Sequence, residues 1–494
     1  MLRNPRYASE PARVSRGFAV NEFRRFFPGF ACDRPIFGDT DVSDTFSSDF
    51  PSRRTDESHH DTGRQAPMKA SWNRRDALRA GTLLAMSSGA IGLSSQASDE
   101  PGIRHTHVFP REKDIHNHAP CVTECPNGDL FLAYYTGHGE RRSDDVRIVG
   151  HRLPKGATQW SPRMELADTP GYPDCNPAIF AAPSGELWLW YPTILDHNWE
   201  GALLKYHVSK DFQTPGQAPV WQREGVAHVT PTGFAEQFEA ALKTHKADVV
   251  AKAVPRWTEI IRKTTERSKQ EIYQRLGWMP RVRPMVLSTG RWLLPLYTDT
   301  FSASLAYYTD DQGKTWKTSQ SMIGLGNIQP AFVERKDGTV VAFMRDNGPF
   351  ERIRQAESKD GGQTWSAVTS SDLPNPGAGV DAIRLASGAW AMVYNDLTEG
   401  RWSLALSLSD DEGRTWPITR HVFRHAEKKG SYHYPSLLQG SDGQIHVLYT
   451  DGGIPEGSTM THAATTEAWI RGGEPTPRPA PTALDAIGKL IGQN

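Results

Sequence analysis

In this 494-residue chain Arg141-Arg142-Ser143-Asp144-Asp145 sets two adjacent carboxylates beside two arginines. Two carboxylates a few ångströms apart repel as anions, which raises the pKa of one and keeps a proton available near neutral pH, as a general acid requires. A solvated acidic turn is the alternative. Other charged and amide groups stand where strands would begin or end: Asp174 and Asn176 in DCNP, Arg281 and Arg283 in RVRP, Asp299 in YTDT, Arg345, Asp346 and Asn347 in MRDN, Asp381 in GVDA, and Asn395 with Asp396 in YND. Buried without partners, so many polar groups would be costly. A polar ligand funnel accounts for them, and so does a hydrogen-bonded network around a water-filled channel. His116 and His118 have a spacing that a metal could use, but two histidines are a weak signal, and the reading is no metal and no cofactor.

The elements that must position these groups are written as two repeats. Thr309 to Trp316 (TDDQGKTW), Ser358 to Trp365 (SKDGGQTW) and Ser409 to Trp416 (SDDEGRTW) share one pattern, with tryptophans 49 and 51 residues apart. A period near 50 implies stacked or radial units. In each, the Asp can accept local N–H groups, Gly supplies a positive φ and Trp fills the space between units. Independently, six glycine turns flanked by apolar alternation, at Gly128, Gly185, Gly290, Gly338, Gly388 and Gly443, read as hairpins. Five have a proline about eight residues upstream (Pro120, Pro177, Pro284, Pro330, Pro435) that would open an innermost strand.

The pattern predicts an all-β, six-bladed β-propeller over 103–470. Its last blade lacks an outer strand, and Arg104 to Phe109 is expected to supply it and close the ring. The step from Gly185 to Gly290 is 105 residues, and the excess, about 232–276, reads as a helical insertion between blades 2 and 3, over the face where the inner strands begin. A lid or rim wall and an inert buttress are both open. Residues 471–494 read as a loosely attached, proline-rich tail.

Composition adds few constraints. With 56 basic and 57 acidic residues there is no net pull toward nucleic acid or an anionic membrane. Cys32, Cys121, Cys125 and Cys175 have no zinc spacing; a Cys121–Cys175 bridge is conceivable, and buried free thiols are the plainer reading. Arg74-Arg75, an apolar stretch from Ala80 to Leu93 and Ser95-Gln96-Ala97 match a twin-arginine-type signal peptide over 68–97, too short and too rich in Gly and Ser for a membrane span. This predicts export to the periplasm or beyond, with 1–67 a misassigned start or disordered leader.

The Asp-boxes and hairpins together resemble the sialidase superfamily of BNR, or Asp-box, propellers, over Arg104 to Ile470. The resemblance puts the Asp-boxes on the face opposite the active site. It implies that Asp144 or Asp145 is the general acid, with Arg141 or Arg142 beside it. In SYHYPSLLQ it puts Tyr434 at the nucleophile position, flanked by Tyr432 and by His433, which could activate the phenol. Of the arginines that hold a substrate carboxylate, Arg401 resembles the third, and Arg352 and Arg354 bracket the second, each one residue out of register. The first is replaced by His116-Asn117-His118, and the glutamate that activates the tyrosine is replaced within Asn327-Ile328-Gln329. The expected function is an exo-acting glycoside hydrolase on an acidic or complex glycan. The alternatives are a lyase on a uronate-containing glycan and a non-catalytic glycan-binding propeller.

Overall fold

The glycine of each hairpin turn adopts a positive φ, from 83° to 93°, and each turn joins the first two strands of one sheet. The computed structural model describes residues 101–479; the leader, the twin-arginine-type segment and the chain from 480 onward lie outside them. Six antiparallel sheets form the six blades. From the inside outward, blade 1 is His116–Glu124, Leu130–Gly137, Arg147–Leu153 and Met164–Ala167. Blade 2 is Ala178–Ala181, Leu187–Ile194, Ala202–Ser209 and Arg223–Val226. Blade 3 has a split inner strand, Trp278–Pro280 and Met285–Val286, then Trp292–Thr298 and Ala303–Thr309, and a split outer strand, Lys317–Thr318 and Met322–Ile323. Blade 4 is Asn327–Glu334, Val340–Asp346, Arg352–Ser358 and Thr369–Pro374. Blade 5 is Asp381–Arg384, Trp390–Tyr394, Ser403–Ser409 and Ile418–Arg424. Blade 6 is Ser431–Gln439, Ile445–Gly452 and Thr459–Thr465, with Ile103–His107 as the outer strand, Ile103 facing Thr465 and His107 facing Thr461. Ile103–His107 thus closes the ring, as expected.

The three Asp-boxes fold alike because their hydroxyl and carboxylate satisfy the same turn atoms. In the first, Thr309 Oγ1 donates to Asp311 at 2.7 Å and accepts the Gly313 amide at 2.9 Å, while Asp311 accepts the Thr315 amide at 2.8 Å and hydroxyl at 2.7 Å. The bonds from Thr315 are the main reason the Asp311 carboxyl lies well below the usual carboxylate range. Ser358 with Asp360, and Ser409 with Asp411, repeat the pattern. The box glycines of blades 3 and 4 lie against the second strand of the preceding blade: a Cβ on Gly313, at φ 85°, would come 2.5 Å from the Trp188 ring. Gly313→Ala is therefore expected to lower unfolding stability by about 1–3 kcal/mol, read as a shift in the chemical denaturation midpoint.

Four inner strands share a local distortion that aims their side chains. Ala119, Asn176, Gln329 and Tyr434 all have left-handed backbone, with φ of 56°, 41°, 56° and 53°, and each precedes a proline. Register shifts follow at His118/Cys121, Ile328/Ala331 and His433/Ser436. A non-glycine residue in this region before proline is unfavourable, and such bulges re-aim side chains at strand ends.

The insertion forms α1 (Phe234–Thr244), α2 (Ala247–Ala253), α3 (Arg256–Ser268) and α4 (Glu271–Arg275). Phe234 and Phe238 pack on Phe301, between the second and third strands of blade 3. Ala247, Val250 and Trp257 join Leu325 and Phe350 of blade 4. Arg267 donates to Glu200 in the corresponding loop of blade 2 at 2.8 Å. The helices thus brace the loops of three blades on the face where the inner strands begin. Beyond the ring, α5 (Glu467–Arg471) and the short strand Glu474–Pro475 attach to blade 5, through Arg420 to the Trp469 carbonyl and through pairing with Ile418 and Thr419. This part of the tail is held more firmly than expected. Cys121, Cys125 and Cys175 are buried free thiols. Among the described residues no helix is long and apolar enough to cross a membrane.

Candidate functional site

Tyr434 is where the blades meet. Its hydroxyl accepts hydrogen bonds from Gln329 Nε2 at 2.9 Å and from an Arg345 guanidinium nitrogen at 3.0 Å. The Arg281 guanidinium lies 4.8 Å from its ring centroid and that of Arg401 lies 5.9 Å away. The His118 ring packs 4.2 Å from it, centroid to centroid, and His433 lies 4.7 Å from His118. Arg401 donates to the Gly377 carbonyl at 2.8 Å and lies 3.4 Å from His433 Nδ1. Blades 1, 3, 4, 5 and 6 therefore reach one phenol. Blade 2 joins through Asn176, which donates to Tyr297 Oη at 3.2 Å; Gln329 donates to the same oxygen at 3.3 Å. Among the buried apolar residues of its cluster Tyr434 keeps the largest exposure, 9%.

The electrostatics follow from burial among cations. His118 and His433 are held well below the usual imidazole range, first by burial and then by neighbouring imidazoles and by Arg401 and Arg281, so both rings are neutral. Tyr135 is pushed well above the usual phenol range by burial and then by Glu140, to which its hydroxyl donates at 2.7 Å. Asp299, at the end of the second strand of blade 3, is enclosed by protein but still partly open to water. Burial raises its pKa to about 6; Arg345 pulls against this, and Glu140 and Glu200 add to it. A folded-state pKa above the unfolded value means that the stability linked to this group is present below the ordinary carboxylate range and is lost as pH rises through about 6. Asp299→Asn is therefore expected to raise unfolding stability at neutral pH by on the order of 1–2 kcal/mol. The gain should vanish near pH 4, where the native side chain is protonated. Thermal melts across that interval check it.

A family model described as a BNR repeat-like domain matches residues 273–447. A sialidase of Micromonospora viridifaciens is 28% identical over 179 residues, 34% of this chain and 26% of that protein. The matched segment is thus about a quarter of that relative's length. Among solved structures, the NanB sialidase of Streptococcus pneumoniae superimposes with a TM-score of 0.54 at 13% identity, over 75% of this chain and 71% of that one. A protein of unknown function from Dyadobacter fermentans does so with a TM-score of 0.54 at 17% identity, over 74% of this chain and 99% of that one. Residues 273–447 thus match a BNR repeat-like domain, within a propeller that shares its fold with sialidases.

In this sialidase-like propeller the departures anticipated at the blade entries are chemical rather than positional. Gln329 touches the phenol of Tyr434, where the resemblance calls for a glutamate, so a carboxamide replaces the carboxylate. His118 presents a neutral ring to Tyr434 from the blade 1 entry, where the resemblance calls for an arginine. His116 lies beside it, 5.1 Å away between centroids. Asn117 turns instead toward Glu112, Thr136 and Ser458.

The loop aspartates take surface partners. Asp144 is exposed and lies 2.7 Å from His197 Nε2. Asp145 is bound by the Ser143 hydroxyl and by the His138 amide and ring; burial opposes them, but they hold its pKa down to about 2, a poor match to a proton donor. Arg141 stacks on Trp199 at 5.2 Å and pairs with Glu140 at 3.2 Å, and Arg142 is exposed.

Several other anticipated ligand groups have structural bonds. Arg281 donates to the carbonyls of Pro435 and Pro120 at 2.6 and 3.3 Å, tying blade 3 to blades 6 and 1. Arg283 donates to the Leu437 carbonyl and lies 3.7 Å from Asp381, which accepts the Leu437 and Ala382 amides. Asp174 accepts from Thr193 and the Thr169 amide, and Asn347 donates to Ser302. Tyr432 packs on Phe423 at 4.4 Å. Arg354 donates to Ser370 and the Gly324 carbonyl and covers Phe350, and Arg352 donates to the Glu351 carbonyl. The guanidinium that reaches Tyr434 from blade 4 is Arg345.

Tyr135, Glu140 and Tyr297 complete the cluster and were not singled out from sequence. The available signal was a shared position: Tyr135 and Tyr297 both lie near the end of a second strand, in LAYYT and PLYTD.

Proposed function

We propose that this chain is an exo-acting glycoside hydrolase of the sialidase-like type, acting on a glycan that ends in an acidic sugar. The observation that carries the reading is the convergence of Arg345, Gln329 and His118 on Tyr434, with Arg401 alongside. Arg345 and Arg401 form the anion clamp, since a guanidinium suits a carboxylate in both charge and shape. Tyr434 is the electrostatic stabiliser of the oxocarbenium-like centre or, once its phenol proton has passed to the neutral imidazole of His118 or His433, the nucleophile, with Arg345 and Gln329 donating to its oxygen as negative charge develops there. Asp299, titrating near 6, is the proton donor for the leaving group.

One observation favours a second reading. The Gln329 carboxamide cannot take the phenol proton as a carboxylate would. In a β-elimination on a uronate, Arg345, Arg401 and Gln329 would instead neutralise the sugar carboxylate while a neutral imidazole, or Tyr434 as its phenolate, removes the C5 proton and the C4–O bond breaks, Asp299 protonating the leaving oxygen. The purified chain, incubated with sialylated and uronate-containing glycans, separates the two. Reducing ends without a new absorbance support the hydrolase. The unsaturated-product chromophore supports elimination. Neither product from any acidic glycan, with binding retained, leaves a glycan-binding propeller and overturns the enzyme reading.

A further inference from the structure

Beside Tyr434, the side chains of His116, His118 and Glu140 each offer a ligand atom, and these atoms all lie within 4.8 Å of one another. We propose that they bind one divalent transition-metal ion, a site separate from the anion clamp. Two imidazoles and one carboxylate form a donor set that suits zinc, cobalt or nickel, and three protein ligands leave a coordination position for water or a sugar oxygen.

The backbone explains how the set is assembled. His116 and His118 are two apart on the inner strand of blade 1, so both project from one face just before the bulge at Ala119. Glu140 comes from the loop after the next strand.

Each ligand has an outer partner of the kind that fixes orientation. Thr450 Oγ1 lies 3.2 Å from His118 Nδ1, which directs Nε2 to the metal. Tyr135 Oη lies 3.4 Å from His116 Nε2 and 2.7 Å from Glu140 Oε1, holding those two ligands side by side. Arg141 donates to the other Glu140 oxygen at 3.2 Å. With the His118 ring 4.2 Å from that of Tyr434, a bound ion adjoins the reacting sugar and can polarise one of its hydroxyl or carboxylate oxygens.

Cobalt and zinc binding by the full demetallated chain tests this without any activity assay, so its outcome is independent of the hydrolase reading. The expected result is one Co²⁺ per chain in calorimetry, with visible absorption bands of a low-coordinate nitrogen and oxygen site. His116→Ala and Glu140→Gln should each weaken binding by at least about tenfold while melting like the parent chain. A His59→Ala/His60→Ala chain should bind as before, which excludes the histidine pair outside the described residues. Absence of saturable binding, or equal binding by the parent, His116→Ala and Glu140→Gln chains, would overturn the proposal.

Discussion

Tyr434→Phe is expected to lower kcat/KM on an acidic glycoside by about 10²–10⁴-fold, the range associated with removing a group that acts directly at the reacting centre. The fold should tolerate the change. The ring keeps its packing against His118 and Arg281, and only the oxygen that accepts from Gln329 and Arg345 is removed. Two donors lose a partner, at a cost of about 1–3 kcal/mol each where water cannot replace it. The loss should therefore appear in kcat with KM little changed, because the phenol oxygen meets the sugar mainly as charge develops. A change in KM alone, or unaltered turnover, would remove Tyr434 from the chemistry.

The second large effect concerns the clamp. Arg345→Met and Arg401→Met should each weaken binding of a carboxylated sugar by roughly 10–100-fold, the worth of a hydrogen bond to a charged group at about 1.5–3 kcal/mol. Binding of the corresponding methyl ester should hardly change. Calorimetric titration of both ligands into both variants makes the comparison. A parallel loss for acid and ester would mean that the arginines shape the pocket without reading its charge.

The architecture was largely legible because its determinants are local. Positive-φ glycines at hairpin turns and a serine or threonine, aspartate and glycine turn every fifty residues each state their own conformation, and six copies of the hairpin imply six blades. The closing strand was legible because a blade without an outer strand needs one.

The site was legible only in part. Tyr434, Arg401, His118 and Arg345 were all named, but Arg354 was expected in the clamp and lies elsewhere. Arg352 and Arg354, two apart on one strand, share a face, while the intervening Ile353 is buried with Phe343 of the same sheet and Trp390 of the next. A register difference of one residue thus decides which side chain faces the axis, and spacing alone does not fix it. Arg281 was read as a ligand group, although it mainly supplies the axis with bonds to two proline carbonyls. Those carbonyls take their direction from the bulges, whose left-handed residues, Ala119 and Tyr434, are types that rarely announce such a conformation. Tyr135 and Tyr297 were hidden for a different reason: inside apolar runs, a phenol reads as a packing ring until its hydroxyl is seen to meet Glu140 or Asn176.

The most direct test is the structure of the Tyr434→Phe chain with an acidic sugar bound. The sugar carboxylate should lie between Arg345 and Arg401, with the substituted phenyl ring under the anomeric carbon. A sugar held at the Asp-box face, or one whose carboxylate meets neither arginine, would contradict the assignment.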